Sequence, residues 1–239
     1  MIMNKLKPLS YLELLLVFGI PTLLMYLATN FVIPRLDGLN RFPIEISWFI
    51  AGGVFVLGPM FFISLFLVQK GIGSANIQDI FLRMDIKSMQ AADWLWAIGS
   101  FIIIMAMTMG LVELGKLIPS FNAAPVFMDD MPLKPGNYWI MAAWLPFFFF
   151  NILGEEFWWR GYIFPRQLLL NKKYTWLVHG IGWALFHLGT GWSLIFLALP
   201  IFFILPLVIQ IRKNTAISIL VHTAYGAFGF LSLAFGLVR

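Results

Sequence analysis

Residues 174–211 read YTWLVHGIGWALFHLGTGWSLIFLALPIFFILPLVIQI, thirty-eight positions without one Asp, Glu, Lys or Arg. A bilayer's hydrocarbon core is about 30 Å thick and takes about 20 helical residues at ~1.5 Å each. The run is therefore long enough to cross twice. Its break falls at His187-Leu-Gly-Thr-Gly-Trp192, where two glycines permit a tight reversal and no charge is needed to leave the membrane.

Working outward, further uncharged runs occupy Leu14 to Pro34, Ile46 to Gln69, Trp94 to Val112, Pro135 to Gly154 and Asn214 to Val238. With the long run counted twice, the expectation is an all-α, polytopic transmembrane helical bundle of about seven spans. It forms one integral membrane domain over residues 1–239, with the chemistry-bearing residues in 135–239. Composition agrees: the chain is 61% hydrophobic and 11% charged, where a soluble domain carries about 25% charged residues. Lys5 and Lys7 precede the first run as in a signal peptide, but that run is longer than a signal core and lacks a small-residue cleavage site, so it reads as a retained span. Ile77 to Met89 alternates apolar residues with Asp79, Arg83, Asp85 and Lys87, which suits a surface amphipathic helix or a polar loop. Lys116 to Gly136, with four prolines, is the longest irregular connection.

The net charge of +5 points to anionic lipid headgroups and not to nucleic acid, because the basic residues sit mainly in short loops between apolar runs. With the N-terminus inside, eleven Lys and Arg lie on the inner side. Arg35, Arg41, Lys116, Lys134 and Arg239 are left outside. That asymmetry puts the N-terminus in the cytoplasm of a cell-membrane protein. The absence of cysteine excludes disulfides, thiolate metal sites and cysteine nucleophiles.

The charges within apolar sequence are the informative ones. Asn151-Ile-Leu-Gly-Glu155-Glu156-Phe-Trp-Trp-Arg160 follows the run Phe147 to Phe150, and three charges at mid-helix cost roughly 8 to 10 kcal/mol on insertion scales. Glu156 and Arg160 stand four apart, share a helix face and can pair. Glu155 lies about 100° round the helix, on a line with Asn151, Trp158 and Trp159, with no such partner. The three histidines, His179, His187 and His222, all lie in uncharged runs. Counted along ideal helices, Glu155, His187 and His222 come to within about 7 Å in depth, and His179 is shallower and structural. A carboxylate and two imidazoles converging in a membrane can bind a divalent metal, activate water directly or relay protons; residue type and spacing alone leave these open.

Glu155-Glu156-x-x-x-Arg160, then an aromatic residue four before a histidine (Trp183 and His187), then His222 resembles the motif order of the CPBP family of intramembrane proteases, which includes type II CAAX prenyl endopeptidases and bacteriocin-immunity proteins. The resemblance covers about a third of the chain, Asn151 to Gly226; the N-terminal half is similar only in hydropathy. It implies peptide-bond hydrolysis by a water activated at Glu155 with the help of His187, with Glu156 and Arg160 orienting Glu155 and His222 stabilising the oxyanion. Trp183 and Trp159 are the candidates for contacting substrate. The family's third motif is His-x-x-x-Asn, and here Gly226 stands at the Asn position, with no side chain to donate.

The family is often described as metalloproteases, so a divalent metal such as zinc on Glu155, His187 and His222 is a further expectation of the resemblance, beside a metal-free activated water. The implied partners are a peptide or protein substrate in the bilayer, with lipidation open, and the lipid itself. A non-catalytic binding or immunity protein of the same family, and a proton-coupled carrier, are the alternatives.

Overall fold

The computed structural model describes residues 6–39, 41–128 and 131–237, so Lys5 and Arg239, counted in the charge asymmetry, lie outside the described residues. Helices α1 (Tyr11–Leu27), α2 (Ile33–Asp37), α3 (Ile44–Trp48), α4 (Gly58–Ile72), α5 (Ile77–Arg83), α6 (Ala91–Gly115), α7 (Trp139–Glu156), α8 (Phe164–Asn171), α9 (Thr175–Phe186), α10 (Trp192–Arg212) and α11 (Thr215–Ala234) follow one another, with no strand among the described residues. Six helical stretches are long and apolar enough to cross a membrane, one of them the 52-residue Trp139–Thr190. That stretch is two legs, because the chain turns at Lys172 with φ 49°. Seven rods result, as the hydropathy pattern implies.

Three helical rods widen into π-helical turns, at Ala28–Val32, Phe49–Leu57 and Phe157–Ile163. Each ends two residues before a proline: Pro34, Pro59 and Pro165. A proline has no N–H and its ring collides with the carbonyl four residues back. The preceding residue therefore bonds five back instead, as Ile33 does to Ala28, Gly58 to Gly53 and Phe164 to Trp159. The third of these turns directly follows Glu155 and Glu156 and carries Arg160, an instance of the π-bulge placement often found at functional sites.

The break in residues 174–211 falls where the glycines place it. Helix α9 is 12 residues, about 18 Å and short of a full crossing; a 3₁₀ turn over His187–Thr190 follows, and Gly191 reverses the chain at φ 101°. The end of α1 and the π-helical turn after it cover that turn so closely that a Cβ on Gly189 would lie 2.5 Å from Thr29 Oγ1 and 2.8 Å from Tyr26 Cα. Asn30 Nδ2 reaches the Gly189 carbonyl at 3.5 Å.

The amphipathic segment is a helix only over Ile77–Arg83, where Asn76 caps it by accepting from Gln78 N–H. Beyond it the chain becomes a clamp on the start of α11. Thr215 N–H donates to the Asp85 carbonyl at 2.8 Å and Thr215 Oγ1 to the Met84 carbonyl at 2.8 Å. Asn214 caps α11 by accepting from Ala216 N–H, and also accepts from Lys87 N–H. Arg212 pairs with Asp93 at 2.8 Å, joining α10 to α6. The core between the rods is aromatic: Trp144 stacks on Phe230 at 4.4 Å and Phe49 on Phe147 at 4.8 Å. Helix α7 meets the π-turn of Phe49–Leu57 at Gly154, where a Cβ would stand 2.5 Å from the Leu57 carbonyl oxygen.

Candidate active site

The last turn of α7 carries Glu155 and Glu156, both buried. Consecutive residues diverge by about 100° around a helix, so the two carboxylates serve different neighbours. Glu155 faces a cavity of about 260 Å³. Glu156 faces α11 and is fully enclosed.

Glu155 is not the unpartnered carboxylate that helix spacing implies. Its Oε2 accepts from two indole N–H groups, Trp183 at 2.5 Å and Trp159 at 3.2 Å. The first comes from α9, twenty-eight residues away, and four-residue spacing cannot reveal it. Oε1 has no hydrogen-bonding partner among the described residues. The carboxylate is thus held on one side and free on the other.

Glu156 organises three neighbours. Its Oε1 lies 2.8 Å from His222 Nδ1 and 3.2 Å from Arg160, and its Oε2 accepts from the Ser218 hydroxyl. Ser218 and His222 stand one turn apart on α11, which is why one carboxylate reaches both. The Arg160 contact is an ion pair by distance, yet none of the guanidinium nitrogens makes a hydrogen bond of proper geometry. The guanidinium carbon instead stands 3.6 Å over the Trp183 ring, a cation–π contact. Trp183 therefore binds Glu155 with its N–H, carries Arg160 on its face and packs against the His222 ring at 5.3 Å.

His187 ends α9, with Nδ1 3.0 Å from the Trp183 carbonyl. A carbonyl only accepts, so Nδ1 carries the proton and Nε2 presents a lone pair in the neutral ring. Likewise His222 Nδ1 donates to the Glu156 carboxylate, leaving Nε2 for other contacts. Glu155, Trp183, His187 and His222 all line the one cavity, joined by Asn151 one turn before Glu155 and by Gly226 one turn after His222. Trp159, a candidate for contacting substrate, is fully buried and absent from the cavity wall; it stands behind Glu155. Trp158 turns away and donates to the Val17 carbonyl. His179 is enclosed, bonded to Gln167 and ringed by Phe18, Phe164 and Trp159.

Among the described residues no three His, Asp or Glu side chains converge to hold a metal ion. Both imidazoles spend Nδ1, and Glu155 spends Oε2, on the protein itself, which leaves each Nε2 and Glu155 Oε1 without a protein partner among the described residues.

No curated protein and no solved structure gives a significant match to the chain. Residues 137–228 match the family model described as type II CAAX prenyl endopeptidase Rce1-like. The matched stretch holds Glu155, Glu156, Arg160, Trp183, His187, Ser218 and His222, so that over these residues the chain is similar to the type II CAAX prenyl endopeptidase family, as the order of its motifs implies.

Proposed function

We propose that the chain is an intramembrane endopeptidase in which Glu155 and His187 activate a water for attack on a peptide carbonyl. The observation that carries this is the one-sided anchoring of Glu155: Oε2 is fixed by two indoles while Oε1 is free of partners on a cavity wall shared with His187. A water between Oε1 and His187 Nε2 is oriented by both. Glu155 takes its proton, the oxygen adds to the carbonyl carbon, and the C–N bond breaks as Glu155 returns the proton to the leaving amine.

The oxyanion needs donors placed where charge develops. His222 supplies one through Nε2–H when its ring carries both protons, with the Glu156 carboxylate offsetting that charge at Nδ1. Gly226 supplies none. The amide of Asn151, on the same wall and without a hydrogen-bond partner of its own among the described residues, is the side chain able to take that part. Arg160 and Glu156 are positioning residues, since neither reaches the cavity wall.

The test is hydrolysis of a membrane-peptide library by purified protein in lipid. Cleavage lost in Glu155→Gln is the expected result, and cleavage that survives it refutes the assignment. A second reading, a non-catalytic peptide-binding protein, is favoured by the bare backbone at Gly226; retained binding of a membrane peptide with no cleavage by the wild type would establish it.

A further inference from the structure

The cavity lies toward one end of the helical bundle. On α6 its wall runs from Met105 to Val112, in the second half of the helix, and on α11 from His222, just before the midpoint, to Leu233, near the end. On α10, which runs the other way, it uses Leu194 to Phe202, the first half. Ala123, Pro125 and Phe127 of the connection between α6 and α7 complete the wall at this end.

The other end is shut. Glu156, Arg160, Ser218 and Gln167 fill the space between the rods with buried polar groups. Beneath them Met84 is wholly enclosed against Gly161, held there by the Thr215 bonds that clamp α5 to α11. Basic side chains crowd this shut end: Lys70, Lys87, Lys172, Lys173, Arg212 and Lys213, with Asp79, Asp85 and Asp93 among them. The cavity end has Arg35, Arg41, Lys116 and Lys134, with Asp37 and Glu113 among them. Lys and Arg in short loops mark the cytoplasmic side of a membrane protein.

We propose that the site is entered from the extracytoplasmic face, so that its substrates are peptide segments lying on, or inserted from, the outer leaflet and not tails presented from the cytoplasm. The word substrate rests on the protease reading above. The direction of entry does not, for it follows from the position of the cavity and the distribution of charge.

The chain has no cysteine, so each introduced thiol reports alone. Ser120→Cys is exposed in the connection at the cavity end, Lys173→Cys is exposed at the shut end, and Met105→Cys is on the cavity wall. A membrane-impermeant maleimide applied to intact cells should label Ser120→Cys and Met105→Cys, and should label Lys173→Cys only after permeabilisation, each thiol having been shown reactive in denatured protein. Labelling of Lys173→Cys in intact cells, or failure of Met105→Cys to react from the Ser120 side, overturns the proposal. In proteoliposomes of known orientation, peptide supplied on the Ser120 side should be cleaved and peptide confined to the Lys173 side spared; the reverse preference also overturns it. Cleavage on neither side, with the labelling as expected, defeats the protease reading and leaves the direction of entry standing.

Discussion

The Trp183 indole N–H donates to Glu155 Oε2 at 2.5 Å while the Arg160 guanidinium lies 3.6 Å above the same ring. In the family motif this position is usually Phe, which offers the face without the donor. Trp183→Phe should therefore keep the ring under Arg160 and release one side of Glu155. A hydrogen bond to a charged group contributes about 1.5 to 3 kcal/mol, so turnover should fall about 10- to 100-fold. Steady-state kinetics should place the loss in kcat with KM little changed; a change confined to KM would make Trp183 a substrate contact instead.

Arg160 is buried with its charge 3.2 Å from Glu156 Oε1, so its removal strands a carboxylate that Ser218 and His222 alone must then satisfy. Breaking a buried pair in this way costs about 3 to 5 kcal/mol. Arg160→Ala should lower folding yield and thermal stability. Arg160→Lys should recover little, because a compact ammonium makes a poorer contact with an indole than a guanidinium does. Melting temperatures of the two variants in detergent check this.

Asn151 and Gly226 face the same cavity from α7 and α11. Asn151→Ala should reduce kcat by about 10² to 10³ if its amide meets the oxyanion. Gly226→Asn in that background should restore part of the loss, although its Cβ would come within 3.1 Å of the Phe148 ring, which must shift by a few tenths of an ångström. Single-turnover rates on the two single variants and the double variant measure the coupling. Equal rates for Asn151→Ala and wild type would leave the oxyanion to His222 or to backbone.

Gly154 precedes Glu155 and abuts the Leu57 carbonyl, 2.5 Å from where a Cβ would sit. Backbone cannot swing aside as a side chain can, so Gly154→Ala must push α7 away from the Phe49–Leu57 turn. Overpacking of this kind costs about 1 to 3 kcal/mol. Both Tm and turnover should drop, while Gly99→Ala, with open space around it on α6, should change neither.

Much of this arrangement is legible in residue order. Uncharged runs locate the rods, the glycines of His187–Trp192 mark the reversal, and counting along helices puts Glu155, His187 and His222 at one level. Pairing across helices is a different matter. That Trp183 binds Glu155 depends on how α9 leans on α7, and no spacing rule within either helix contains that angle. Ser218 was within reach, since a hydroxyl one turn before His222 must share its face. The prolines at 34, 59 and 165 carried a further signal, three places where a helix must widen. The clamp of Met84 and Asp85 on Thr215 joins residues about 130 apart through backbone carbonyls, which side-chain identity does not encode.

The short α9 has a consequence for the residues outside 137–228. Where α9 stops before His187 and Gly191 turns the chain, after only 12 helical residues, peptide groups leave the helical ladder, and hydrocarbon would offer them nothing to bond with. The end of α1 and the π-helical turn after it lie against Gly189 there, with Tyr26 and Thr29 at contact distance and Asn30 beside the carbonyl. They cover the break. The part of the chain that bears the family signature is accordingly not a transplantable module: excised without its first helix, it would present bare backbone to the acyl chains, and grafting it into another bundle would require a surrogate for α1 at that spot.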